Sequence, residues 1–530
     1  MSYYLTLRHW WAGWLLVLIE LMGYSFATNA QTFERAVLCD APAPLGVVGL
    51  GQYQVAIDRD GNTFAVGAFS GTATFGPFTL QTDTTSPSAP QADFYVAKLD
   101  TALRFLWVVQ GSGQGTAYDA NDLCHALALD SAGDVLIAGE FESYGLRIGG
   151  SLRYNASNSA DLFVAKLNGA TGACQWLTRA GGIYSEKIKC LTISPTGQIY
   201  VGGSLGIDTV SFGNSAFVYN TASSNAFVAS ITPATGIWQW ATAVGGLGSR
   251  GSEITGIGVR PGGQLFVCGN RSPGIFQFGT YTLSDSGEPF VARMRAGTGA
   301  WLWAASYAQT LWYPDQNLAN VNAMAVDEVG NCYLAGSFMG IDVSFGDTTL
   351  RSPGNPNVSN AYPRNAYVGK LDSLGAWQWV RQFGHNGLDS FYGLALDDSA
   401  NIALVGAFDD HIITPARAFA VQVRSSDSAV GWSLATGRRA SLPRAIAFGP
   451  NGRYTVCGTF GNIDDFGAIT LVNPTPGRST GFIAQINRRG VVTGTKAPVS
   501  ASHAGLRVWP NPTTGAVWVS GPPPATPFTC

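Results

Sequence analysis

One twelve-residue pattern recurs seven times along the chain, and it constrains the fold more than any other feature. The copies are DRDGNTFAVGAF from Asp58, DSAGDVLIAGEF from Asp130, SPTGQIYVGGSL from Ser194, RPGGQLFVCGNR from Arg260, DEVGNCYLAGSF from Asp327, DDSANIALVGAF from Asp397 and GPNGRYTVCGTF from Gly449. Their starts are separated by 72, 64, 66, 67, 70 and 52 residues. Self-similarity at such a period marks a repeat architecture in which one supersecondary unit is copied. Each period holds four short apolar segments. In the second copy these are HALALD (125–130), VLIAGEF (135–141), LFVAKLN (162–168) and CQWLTRA (174–180). All are strand-length, rich in β-formers and bounded by turn residues.

Four antiparallel strands repeated seven times predict an all-β fold: a seven-bladed β-propeller of four-stranded antiparallel blades, which leaves only short sheet edges exposed. A solenoid is the competing architecture, but it needs shorter repeats and a cap at each end, and neither is visible. The fourth segment is marked by Trp107, Trp176, Trp240, Trp303, Trp379 and Trp432, with a second Trp two residues earlier at Trp238, Trp301 and Trp377. That spacing predicts two rings on one face of the strand. The seventh copy has a third strand, FIAQIN (482–487), but no Trp segment after it. Phe33 lies 25 residues before Asp58, as Phe105 lies 25 before Asp130. Residues 33–38 therefore align with a fourth strand, with Arg35 at the Trp position, and are expected to complete blade 7 and close the ring.

Composition agrees with short strands and turns: 46% apolar residues, only 12% charged and 66 glycines. The net charge of −3 offers no basic field for nucleic acid. The N-terminus reads as an export signal, with Arg8 and His9 before an apolar stretch from Trp10 to Met22, and cleavage after Ala27 or Ala30. The expected division is a signal peptide at 1–30, the propeller at 31–490, a linker at 491–505 and a distinct tail at 506–530. Of eight cysteines, Cys268, Cys332 and Cys457 sit in apolar runs and read as buried free thiols.

The recurring turn could be a carboxylate loop for calcium or a hairpin corner. DRDGN at 58–62 comes closest to the former. Yet its leading Asp becomes Ser194, Arg260 and Gly449, and the Gly61 position becomes Ala400, which a hairpin tolerates and a metal loop does not. The turn reading implies no resident metal, and no motif calls for a cofactor. No HExxH, GxSxG or P-loop occurs, His125, His385, His411 and His503 show no paired spacing, and Asp409-Asp410 and Asp464-Asp465 read as solvated loop residues. His125 opens an inner strand and reads as structural. A site assembled across the central channel remains compatible with the sequence.

The first-to-second and third-to-fourth connections are short and share one side of the ring. The second-to-third and blade-to-blade connections share the other, and most of the former carry an aromatic–Gly pair such as Phe75-Gly76 or Phe345-Gly346. Function concentrates in such loops. The expected contact residues are Tyr118, Asp119, Trp312, Tyr313, Asp315, His385, Asp389, Arg438 and Arg439.

In the tail, LRVWPNPTTGAVWVSG (506–521) resembles the opening of the type IX secretion sorting domain of Bacteroidota, through Val508, Trp509, Pro510, Asn511, Pro512, Gly515, Val517 and Val519. That domain usually continues for several strands and a basic segment, whereas here PPPATPFTC follows, so the resemblance is to a truncated sorting domain. The repeats over 33–487 resemble the SBBP-type β-propeller repeats of secreted Bacteroidota proteins, through the D-x-x-G-N-x-(Y/F)-(V/L)-x-G-x-F, F-V-A-K-L-D and W-x-W elements. Together these imply a propeller at or beyond the outer membrane, or periplasmic if sorting fails, with the type IX machinery as a partner; the chain is expected to be a monomer. They imply no fixed activity. Three functions fit: a non-catalytic binder of a glycan or protein, a carbohydrate-active lyase or hydrolase with its site at the channel, or a structural or adhesive surface protein.

Overall fold

The computed structural model describes residues 32–39, 53–487 apart from several connecting stretches, and the segments 507–508 and 519–520. Phe33–Arg488 form one compact unit. Met1–Thr32 and Arg489–Cys530 are grouped as a second, in which Arg507–Val508 pair antiparallel with Val519–Ser520.

Within the first unit the chain makes seven four-stranded blades: blades 1 to 6 are simple meanders, the sheet of blade 1 being extended to six strands by a hairpin of blade 2, and blade 7 takes its fourth strand from the N-terminus. Blade 2 is representative, with Asp122–Leu129, Val135–Phe141, Asp161–Leu167 and Cys174–Ala180 in spatial order. The second strand is buried along its whole length, because both of its faces pack on neighbouring blades. The innermost strands touch their neighbours all the way round, and Ser441–Phe448 of blade 7 meets Gln54–Ile57 of blade 1. The ring is closed and has seven blades.

Closure follows the expected route. Phe33–Cys39 lies antiparallel to Thr480–Asn487, with Val37 opposite Ile483 and Leu38 opposite Phe482. Arg35 opposes Gln485, just as Trp107 opposes Lys98 in blade 1. It also does the work of the tryptophans. Trp107 Nε1 donates to the Gly169 carbonyl of the next blade at 3.3 Å, Trp176 to Pro233 at 3.1 Å and Trp379 to Ser425 at 3.1 Å. Arg35 Nη1 donates to the Thr101 carbonyl in blade 1. Each acceptor lies in a third-to-fourth turn that also holds a left-handed residue: Gly172 (φ 75°), Gly236 (φ 70°), Ser428 (φ 58°) and Leu103 (φ 60°). At Gly172 a Cβ would stand 2.8 Å from Val109 and 3.0 Å from the Trp107 ring, so glycine answers both the backbone and the close approach.

The paired tryptophans depart from the expectation of a shared face. Trp377 opposes Leu371 and Trp379 opposes Lys370, with the register shifting between them. This bulge sets two residues against one and turns the rings to opposite faces. Trp238 accordingly packs among residues of blades 2 and 3, and Trp240 among residues of blades 3 and 4.

The second-to-third connections also differ from open loops. Six of them are short β-hairpins, such as Thr72–Phe75 with Phe78–Gln81, turning at a left-handed glycine (Gly76, φ 57°). The aromatic before that glycine is buried edge-on against the start of its own blade's fourth strand: Phe75 on Phe105 at 5.7 Å, Phe278 on Trp301 at 5.0 Å, Phe466 on Phe33 at 5.1 Å. Some hairpins also join blades. Gly145–Ile148 of blade 2 pairs with the extended Phe105–Gln114 of blade 1. The blade 6 connection lies outside the described residues.

The recurring turn is a hairpin corner. Asp58 Oδ1 accepts from the Asp60 and Asn62 amides at 3.0 and 2.8 Å, and Asp130 repeats this with Ala132 and Asp134. Lys166 Nζ sits 2.8 Å from Asp130 Oδ2. These carboxylates face N–H and ammonium donors. Ala400 takes the left-handed position with φ 56° where the other corners use glycine. Cys268, Cys332 and Cys457 are buried and free, and burial pushes the Cys268 thiol up to about 12.

Candidate functional site

The first strands of blades 2 to 7 carry a bulge at a fixed place, five residues before the recurring turn. The register skips His125 between Cys124 and Ala126, Lys189 between Ile188 and Cys190, and Thr255 between Ile254 and Gly256. It likewise skips Asn322, Tyr392 and Arg444. Tyr53 holds the same offset from Asp58 in blade 1. All seven residues at this position are polar, and no residue type recurs more than twice.

Three of them tie blades together. Thr255 Oγ1 donates to the Val321 carbonyl at 3.0 Å, and Asn322 Nδ2 donates to the Phe391 carbonyl at 2.8 Å. The Arg444 guanidinium makes a cation–π contact with the Tyr392 ring, 5.1 Å from its centroid. His125 is buried, as its structural reading requires, with Nε2 3.2 Å from Glu140 Oε1. Burial alone would raise the Glu140 pKa, but the charges of His125, Lys189 and Lys187 outweigh it and hold the carboxyl below its usual value. On the axis the first strands of all seven blades line a cavity of about 150 Å³.

A second cavity, of about 300 Å³, opens on the loop-rich side between blades 3, 4 and 5. Its wall is mostly hydroxyl and amide, from Ser204, Ser224, Ser252, Asn270, Ser272 and Asn320, with the Glu253 carboxylate and Arg271 as its charged members. The wall is stiff because its members are used in the frame. Asn270 Oδ1 accepts from the Val321 amide at 2.9 Å, and Ser252 Oγ accepts from the Ala226 amide at 2.9 Å. Arg271 lies at its edge where blades 1, 2, 5, 6 and 7 place Phe; it is 1% exposed, and its Nη2 donates to Ser306 Oγ at 2.7 Å.

Of the contact residues expected from sequence, Tyr118, Asp119, Trp312, Tyr313, Asp315, His385, Arg438 and Arg439 lie outside the described residues. Asp389 is described, and it is 2% exposed. It occupies a junction position eight residues before the recurring turn, shared with Asp122, Glu186, Ser252 and Ser441. There the backbone N–H reaches the previous blade: Asp389 to the Arg364 carbonyl and Asp122 to the Ala92 carbonyl, both at 2.8 Å. Junction side chains cap local donors. Asp122 accepts from the Ser143 hydroxyl at 2.7 Å and from the Glu142 amide at 3.1 Å. Burial pushes Asp122 up to about 7 against the pull of these donors, and Glu186 up to about 8 against the pull of the Gly182 and Gly206 amides. Asp464, expected in solvent, is instead buried, and the Ser441 hydroxyl donates to it. It alternates with Phe466 on the inward face of a hairpin strand, Ile463–Phe466, which the loop reading did not anticipate.

Neither the bulge ring nor the loop-side cavity was singled out from sequence. The signal was a column: aligning the seven copies on their turn sets Tyr, His, Lys, Thr, Asn, Tyr and Arg one above another among small and apolar neighbours.

No family model and no curated protein matches this chain. Among solved structures it is similar to a quinohemoprotein alcohol dehydrogenase from Comamonas testosteroni, at 10% identity over 91% of this chain and 80% of that one, TM-score 0.43. It is similar to BamB from Moraxella catarrhalis, at 10% identity over 86% and 100%, TM-score 0.36. A polysaccharide lyase of family PL25, an ulvan lyase, matches at 11% identity over 80% and 93%, TM-score 0.39. The seven-bladed propeller itself is established by the strand pairing and the closed ring of innermost strands.

Proposed function

We propose that this chain is an exported, non-catalytic binding propeller that takes a glycan, or a protein surface of similar polarity, on its loop-rich side. The observation that carries the reading is the 300 Å³ cavity walled by serine hydroxyls and asparagine amides on a rigid frame. A concave site with several convergent polar groups suits a ligand rich in hydroxyls, each of which needs donors and acceptors in return. The turn side has little to offer a ligand, because its polar groups serve the turns and the next blade.

Export is supported by the position of the closing strand. It starts at Phe33, so cleavage after Ala27 or Ala30 would leave it whole. The pairing of Arg507–Val508 with Val519–Ser520 supports reading 506–530 as a strand–turn–strand sorting element.

A second reading, a lyase or hydrolase, draws on the His125–Glu140 pair, which lies beside the axial cavity and outside its lining. Both partners are buried, which favours binding over turnover. A glycan array followed by a turnover assay on every hit separates the two. Binding without product is expected. Product formation would favour the enzyme, and an array without hits would remove the glycan reading.

A further inference from the structure

The axial cavity has a charge balance that its frame does not require. Among the described residues lining it, Lys189 and Arg444 are charged and none is acidic. They come from blades 3 and 7, which stand across the ring from one another. Two cations facing one small space repel each other, and the repulsion is strong where water is scarce. The nearby acid that acts on Lys189, Glu140, is already held by His125 at 3.2 Å. The Arg444 Cζ lies 5.1 Å from the Tyr392 ring centroid, a cation–π contact that satisfies none of the guanidinium's N–H donors. Its Nε is buried without a hydrogen-bond acceptor among the described residues. A buried guanidinium N–H without an acceptor is costly, and a planar fork of such donors fits an oxyanion better than any other partner. Gln54 and Tyr392 add an amide and a phenol to the lining. The volume, about 150 Å³, admits one benzene-sized molecule or a small anion with its water.

We propose that the axial cavity is an oxyanion site in which the Arg444 guanidinium and the Lys189 ammonium hold a carboxylate, sulfate or phosphate group from opposite sides of the ring. The site is separate from the hydroxyl-lined cavity and stands without it. It would take either a free inorganic anion or the acidic group of a single sugar.

The test is thermal denaturation of the full chain at constant ionic strength, titrating chloride against inorganic sulfate, inorganic phosphate or glucuronate. A saturable rise in Tm is expected with at least one of the three. Sulfate or phosphate acting alone points to a free inorganic ligand, and glucuronate acting alone points to a sugar carboxylate. The rise should vanish in the Lys189→Met, Arg444→Met double variant. Lys189→Met alone should weaken binding at least tenfold, and it carries the test if the double variant fails to fold. The proposal is overturned if none of the three anions gives a saturable rise, or if the rise persists unchanged in Lys189→Met.

Discussion

The two sides of the ring solve different problems with the same repeat. On the turn side the same chemistry recurs: an Asp or Ser caps its own corner in five blades, every corner holds a left-handed residue, and in blades 1, 2 and 5 a Trp donates to the next blade's turn. Where the tryptophan is missing, Arg35 makes the same bond. On the axis and the loop-rich side, backbone positions are equally fixed but the residues change from blade to blade. What recurs is what every blade must do to stay docked. What varies at a fixed position is free to serve a ligand, and the bulge column and the serine-lined cavity are such places.

If the turn side is the frame, damage there should rank by how much docking it removes. Deleting residues 31–40 takes away the strand that closes blade 7. It should cost more than any single substitution, over about 5 kcal/mol, and lower the melting temperature sharply; an unchanged melting curve would refute closure by this strand. Trp107→Ala removes a ring that is 8% exposed together with its bond to Gly169. Chemical denaturation should show a loss of about 3–5 kcal/mol.

The junction carboxylates give a third, smaller effect with a defined sign. Asp122 and Glu186 have folded pKa values raised to about 7 and about 8. Folding therefore favours their protonated forms. The stability they contribute is complete below the unfolded values near 4, and it is lost as pH rises through 7 and 8. A pH series of melting curves should fall over that window, and Glu186→Gln should flatten its upper part; a Glu186→Gln profile parallel to wild type would contradict the shift. Smallest of all is Arg104→Ala. Its ion pair with Asp100 is largely in solvent and should be worth less than about 0.5 kcal/mol by denaturant titration.

The blade count and the closing strand were legible because they depend on spacing and strand length, which seven copies average into a clear pattern. Bulges were not legible, since one skipped residue breaks the alternation that sequence reading relies on. That is why Trp377 and Trp379 face opposite ways and why the polar column at the axis escaped notice. Asp389 drew attention as an acidic residue between blades, yet its copies at Asp122, Glu186 and Ser252 mark it as a junction residue. The hairpin inserts were hidden because strands of about four residues are too short for a periodic signal. Asp464 was misplaced for the same reason.

The most direct test of this division is a glycan array run in parallel on wild type, Ser272→Trp, which fills the hydroxyl-lined cavity, and Arg104→Ala, which alters only the turn side. The account predicts that a glycan bound by wild type is lost by Ser272→Trp and kept by Arg104→Ala, with both variants folded by their melting curves. Equal binding by the two variants, or no binding by wild type, would contradict it.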